Sequence, residues 1–97
     1  MNVDSYIIHE LQKLAQRYEL EELILFGSRA RGDNMERSDI DLAARFENAQ
    51  QYLDFQDDLE NIRTLLMFDV VNLSSDMISL DLRQSIKKEG MCIYEKV

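Results

Sequence analysis

Cysteine, histidine and proline are nearly missing from this 97-residue chain, which has one Cys, one His and no Pro. Cys92 alone cannot close an intrachain disulfide, which points to a reducing compartment. His9 is also alone, so no Cys/His cluster has the spacing of a zinc site. No apolar run approaches the ~18 residues of a membrane span. The opening MNVDSYIIHE lacks the basic start and long apolar stretch of a signal peptide. A cytoplasmic protein is expected. Basic residues are also scarce, 11 against 19 acidic ones, for a net charge of −8. That balance repels phosphate backbones, so direct nucleic-acid contact is not expected. The carboxylates are free to hold divalent cations or to face a basic protein partner. Repeats, low-complexity tracts and linkers are absent as well, and residues 1–97 read as one domain.

What is present alternates between two periodicities. Ile7, Leu11, Leu14, Ala15 and Tyr18 recur at helical spacing over 3–18. Leu23-Ile24-Leu25-Phe26 is a continuous apolar run ended by Gly27, which suits a strand covered on both faces. Residues 28–32 read as a short helical turn and 33–38 as a surface loop. Ile40, Leu42, Ala44 and Phe46 alternate with Asp39, Asp41, Ala43 and Arg45, a strand with one apolar face. Asn48 and Gln51 resemble a capping pair. Beyond them Tyr52, Phe55, Leu59, Ile62 and Leu66 predict a long helix, with Asp54, Asp57, Asp58 and Glu60 as its solvated side. Residues 68–73 are a third strand. Ser74, Ser75 and Asp76 offer caps for a last helix, with Leu82 and Ile86 on one face and Gly90 at its end. Residues 91–94 form an edge strand. The fold class is α/β, a small mixed sheet with helices in the order αβαβαβαβ.

The chemistry concentrates in LFGSRARGDNMERSDIDL. On a strand, residues two apart share a face, so Asp39 and Asp41 point together while Ile40 and Leu42 enter the core, with Cα atoms about 6.5–7 Å apart. Two such carboxylates suit magnesium, which takes oxygen ligands from one or two acidic residues and from substrate phosphates. Gly27 lets the backbone approach a ligand closely. Unpaired amides at the start of the following helix favour an anion, Ser28 adds a donor, and Arg29 and Arg31 add charge, though only one of the two need face the ligand. An anion turn beside a metal strand fits a nucleoside triphosphate with magnesium. The two meet only if the first and second strands run antiparallel. If the third strand runs parallel to the second, Asp69 joins them at the same sheet end, which gives a carboxylate among apolar neighbours a reason to be there. Three aspartates make a two-metal site. Arg37, Arg45 and Arg63 are expected to be surface charges, and Arg83, Lys87 and Lys88 a solvated or partner-facing patch.

Gly27-Ser28-Arg29-Ala30-Arg31-Gly32, Ser38-Asp39-Ile40-Asp41-Leu42 and Asp69 resemble the DNA polymerase β-like nucleotidyltransferase superfamily. Within it the chain is similar to the minimal nucleotidyltransferases, the antitoxin halves of HEPN/MNT toxin–antitoxin modules. The likeness runs to Lys88-Glu89-Gly90 and Tyr94-Glu95-Lys96. It implies a single-domain nucleotidyltransferase fold in which Gly27, Ser28, Arg29, Arg31 and Ser38 bind the nucleotide. Asp39 and Asp41 would bind both of two Mg2+ ions, and Asp69 would complete the catalytic metal site and help activate the attacking hydroxyl. The reaction it implies moves AMP from ATP to a tyrosine hydroxyl of a HEPN ribonuclease toxin and releases pyrophosphate. The acceptor platform would come from another chain, giving a hetero-oligomer with the toxin or a homodimer. Two rivals stand beside this: a non-enzymatic antitoxin that acts by binding, and a nucleotidyltransferase for a small molecule.

Overall fold

The structure, a computed structural model, describes residues 1–97. Its elements are α1 (Ser5–Arg17), β1 (Glu22–Phe26), α2 (Ser28–Arg31), β2 (Ile40–Ala44), α3 (Ala49–Leu59), β3 (Phe68–Asn72), α4 (Leu80–Glu89) and β4 (Met91–Glu95). The strands form one mixed sheet in the order β3-β2-β1-β4. β1 runs antiparallel to β2 and β4, and β2 runs parallel to β3. Both orientations that bring the candidate residues together are therefore present.

Strand alternation sorts the core into two layers. On one face Leu23, Leu25, Ile40, Leu42, Ala44 and Val70 pack with Ile7, Leu11, Leu14 and Ala15 of α1 and Phe55 and Leu59 of α3. On the other, Ala43 is buried with Leu73 and with Ile86 of α4, and Ile24, Phe26 and Val71 lie against them. β2 is thus apolar on both faces over most of its length rather than on one. The polar members on this side, Asp39 just before the strand and Asp41 within it, fall at its N-terminal end.

Two boundaries differ from the sequence reading. α3 ends at Leu59, not near Leu66. Its last turn tightens into i→i+3 bonds, with Glu60, Asn61 and Ile62 amides donating to Asp57, Asp58 and Leu59 carbonyls. Ile62 and Leu66 still pack against the main core from the loop, so their spacing reported burial rather than helix. α4 is capped by Ser79, whose Oγ accepts from the Leu82 amide at 3.1 Å. Ser74 and Ser75 belong instead to the preceding turn, where the Ser74 amide donates to Asn72 Oδ1 and Ser75 Oγ accepts from the Met77 amide. The Asn48 cap is as expected: Asn48 Oδ1 accepts from the Gln51 amide and Gln51 Oε1 accepts from the Glu47 amide, both at 2.8 Å.

β3 lies at the edge of the sheet. The Ile40 amide donates to Met67 O and the Leu73 amide to Ala44 O, bracketing its ladder with β2. By alternation, Phe68, Val70 and Asn72 turn their backbone groups outward. Two of these are met from within the chain: Tyr52 OH donates to Val70 O at 2.9 Å, and the Ser75 amide donates to Asn72 O at 3.1 Å.

Candidate active site

Phe26 pairs with Asp41, and Asp41 with Asp69, so the three form one row across β1, β2 and β3. Neighbouring strands stand about 4.8 Å apart, and residues in a row share a face. β1 ends at this row and Gly27 turns the chain away. Its φ of 75° and ψ of −159° lie in a region open essentially to glycine. A Cβ on Gly27 would sit 2.3 Å from Asp41 Oδ2. The turn and the carboxylate are in contact, which is the juxtaposition an anion turn beside a metal ligand requires. Ala30 and Arg31 amides both fold back onto Gly27 O, and Gly32, at φ 87°, closes the short helix by donating to Ser28 O. Ser28 is half-buried at the head of this turn.

Asp39 and Asp69 are exposed and Asp41 is half-buried between them. Burial, then the charges of Asp69 and Asp39, pushes the Asp41 carboxyl up from its ordinary value, and Arg31 is the one cation opposing them. The aspartates are therefore within electrostatic reach of one another. They do not converge into a closed metal-ligand cluster. Their chemistry nonetheless fits a hard divalent cation: every donor is a carboxylate oxygen, and the central one carries negative charge that the protein leaves largely uncompensated.

The two arginines of the turn part company. Residues two apart on a helix are about 200° apart around its axis. Arg29 points inward and is only 5% exposed. Its Nε donates to Ser38 O at 2.9 Å, Nη2 to Glu36 O at 2.9 Å and Nη1 to Asn2 O at 3.0 Å. Expected as a nucleotide ligand, it is instead committed to the protein's own backbone, because its side of α2 faces the loop. Arg31 lies on the open side, paired with Asp33 at 3.1 Å and with Glu89, and both acids hold its guanidinium protonated. Ser38 also serves the loop: its Oγ accepts from the Met35 amide at 2.9 Å. Sequence reasoning missed Arg29's inward role. The 200° separation was the available signal, but it does not say which arginine turns in.

Other charged residues find structural uses. Asp58, expected on a solvated face, accepts from Tyr18 OH at 2.5 Å. Arg83 donates to Leu73 O and Ser75 O, tying α4 to the end of β3. His9 and Cys92 are exposed and take no part in the row.

Residues 9–97 match the family described as Polymerase beta, Nucleotidyltransferase. A protein of Methanocaldococcus jannaschii named "Putative protein adenylyltransferase MJ1215" is 35% identical over 71 residues, which cover 70% of this chain and 73% of that protein. Among solved structures, a toxin–antitoxin complex with AMP-PNP aligns with a TM-score of 0.74 at 23% identity, over 92% of this chain and 73% of its own. A complex of tri-AMPylated Shewanella oneidensis HEPN toxin with MNT antitoxin aligns with a TM-score of 0.67 at 21% identity, over 93% and 71%. These two likenesses speak for the fold, a single α/β domain with a four-stranded mixed sheet. No helix is long and apolar enough to cross a membrane. The chain belongs to the polymerase β nucleotidyltransferase family, and it is a nucleotidyltransferase.

Proposed function

We propose that this chain is a magnesium-dependent protein adenylyltransferase that acts as an antitoxin, moving AMP from ATP to a tyrosine hydroxyl of a HEPN-type toxin. The observation that carries the reading is the contact between the Gly27 turn and Asp41, which sets an anion cradle against a carboxylate row. Gly27 and Ser28 hold the triphosphate, and Arg31 faces it from the open side of α2. Asp39, Asp41 and Asp69 hold the two Mg2+ ions. When bound, those ions stabilise the attacking and leaving oxygens of an in-line displacement. The acceptor oxygen attacks the α-phosphorus, the bond to the bridging α–β oxygen breaks, and pyrophosphate leaves. Asp69, exposed at the start of an edge strand, helps activate the attacking hydroxyl in this reading by taking its proton.

A polypeptide acceptor is favoured over a small molecule by the apolar surface at the β3 edge of the sheet, on the face opposite Asp69. A groove of about 330 Å³ runs beside the start of β3, lined by Leu59, Ile62, Leu66, Met67 and Phe68 among others. Leu65 and Met67 on its loop are fully and largely exposed, and an apolar surface of that kind suits a protein partner. The kind of partner is taken from the neighbours, whose solved forms are toxin–antitoxin complexes, one holding an AMP-PNP and one an AMPylated HEPN toxin. A cytoplasmic complex of the two chains follows from this reading. The rival, neutralisation by binding alone, draws on one observation: the three carboxylates do not close into a ligand cluster by themselves.

The test is intact mass. This protein, magnesium, ATP and a HEPN-domain protein from the same genome are incubated together, with Asp41→Asn as the control. A gain of one or more AMP on the HEPN protein, absent in the control, is expected. A stable, neutralising complex with no mass gain would establish the binding antitoxin instead.

A further inference from the structure

Arg29 is the one charged residue buried in the chain, and no carboxylate pairs with it. A guanidinium sunk in a small domain needs acceptors, and it finds them on three separate backbone carbonyls. Two of these, Glu36 and Ser38, belong to the loop that ends at Asp39. The third, Asn2, belongs to the segment before α1, and the Asn2 amide returns the bond by donating to Arg29 O at 2.8 Å. The arginine itself is the second residue of α2, two positions after Gly27. It therefore spans both limbs of the site, the turn that would cradle phosphates and the loop that carries the first aspartate.

We propose that Arg29 is a positioning residue that fixes the Asp39 carboxylate relative to the Gly27–Ser28 turn, and so sets the magnesium affinity of the nucleotide complex. The role rests on the nucleotide-and-metal reading of the site. The chemistry requires arginine. Its planar fork of five donors can reach three carbonyls in one plane, whereas a lysine ammonium is a point donor that cannot bridge them. Residues 33–39 form neither helix nor strand. Apart from the clamp, the Met35–Ser38 turn is closed by Ser38 N to Met35 O at 3.1 Å and by Met35 N to Ser38 Oγ at 2.9 Å, and the start of the loop is tied by Asp33 N to Ser28 O and by Asn2 Nδ2 to Asn34 Oδ1, both at 3.1 Å. Without the clamp, Glu36 and Ser38 carbonyls lose their buried donor and the loop relaxes toward water. Asp39 moves with it, while Asp41 and Asp69, held in the β2–β3 ladder, stay in place.

The experiment compares wild type with Arg29→Lys, which keeps the charge and most of the stem. Affinity for AMP-PNP is measured with magnesium and with EDTA, and amide exchange is followed at residues 35–38. In Arg29→Lys the gain in affinity that magnesium confers should shrink about tenfold or more, the usual cost of losing an outer-shell partner, while EDTA affinity stays within about twofold. Exchange should accelerate at Met35 and Ser38 and not in α1 or β1. In an Asp39→Asn background, Arg29→Lys should cost little further magnesium response, since its effect passes through that carboxylate. An unchanged magnesium gain in Arg29→Lys, or unchanged exchange at 35–38, would overturn the clamp. No magnesium gain in the wild type would instead overturn the reading of the site on which the clamp depends, and the two failures are told apart by that one control.

Discussion

Replacing Gly27 by alanine should damage the fold and the site by two separable routes. The first is conformational. At φ 75° and ψ −159° an L-residue is strained by about 1–3 kcal/mol. The second is steric. The new Cβ meets Asp41 Oδ2 at 2.3 Å, Cγ at 3.1 Å and Cβ at 3.3 Å, so the carboxylate must swing away from the row. Together these should cost about 2–4 kcal/mol, a fall in Tm on the order of 10–25 °C for a chain of this size. Gly32→Ala is the matched control. It too has positive φ, at 87°, but a Cβ there meets nothing within 4 Å, so strain alone applies, at about 1–2 kcal/mol. Urea unfolding of both variants, and of Gly27→Ala combined with Asp41→Ala, separates the terms. The double variant should recover about 1 kcal/mol or more of the Gly27→Ala loss, because the partner in the clash is gone. If Gly27→Ala loses no more than Gly32→Ala, or if removing Asp41 recovers nothing, the contact between turn and carboxylate is not as described.

The remaining expectations concern charge. Asp39→Asn and Asp69→Asn should each lower AMP transfer at least about a hundredfold while leaving the unfolding midpoint within about 0.5 kcal/mol of wild type, since both side chains are exposed. In metal-free buffer Asp41→Asn should raise Tm. The folded chain holds the Asp41 proton more tightly than the unfolded one, so this group's penalty is fully present at neutral pH and is relieved as pH falls toward the ordinary 3.8. Thermal melts in EDTA across mildly acidic pH check this, the wild type alone showing that relief. Magnesium with ATP at a hundredfold excess over Kd should stabilise the wild type by about 2.7 kcal/mol and Asp41→Asn far less. Burial first, then the bond to Asp58, pushes the Tyr18 hydroxyl up to about 12. Stability should therefore fall as pH rises from about 10 to about 12, a limb that Tyr18→Phe removes.

Much of this molecule is legible before folding because its signals are local. The Gly27 punctuation, the two-residue spacing of Asp39 and Asp41, and the alternation of Ile40, Leu42 and Ala44 each depend on a few adjacent residues. The topology that unites them follows from where each motif sits along its strand. The misreadings share a different cause. Ile62 and Leu66 kept helical spacing because a loop can bury side chains at the same interval as a helix. Ala43 is covered because α4 crosses that face, and its own neighbours say nothing of α4. Asp58 lies on a helix face that reads as solvated until Tyr18, forty residues earlier, is brought beside it. Arg29 and Arg31 are distinguished only by which side of a four-residue helix meets the loop. For Ala43 and Asp58 the deciding partner is distant in sequence; for Arg29 it is the fold of a nearby loop.

The Tyr52 hydroxyl on Val70 O has a bearing on self-association. An edge strand with bare carbonyls is a template on which a second chain can add, and β3 is short, apolar and open on that side. Its middle outward carbonyl is already engaged at 2.9 Å by a side chain from α3. An incoming strand that paired through the centre of β3 would have to compete with that hydroxyl and crowd an aromatic ring packed against Phe46. The protein thus keeps a reactive edge next to its carboxylates without leaving it open to indiscriminate strand addition.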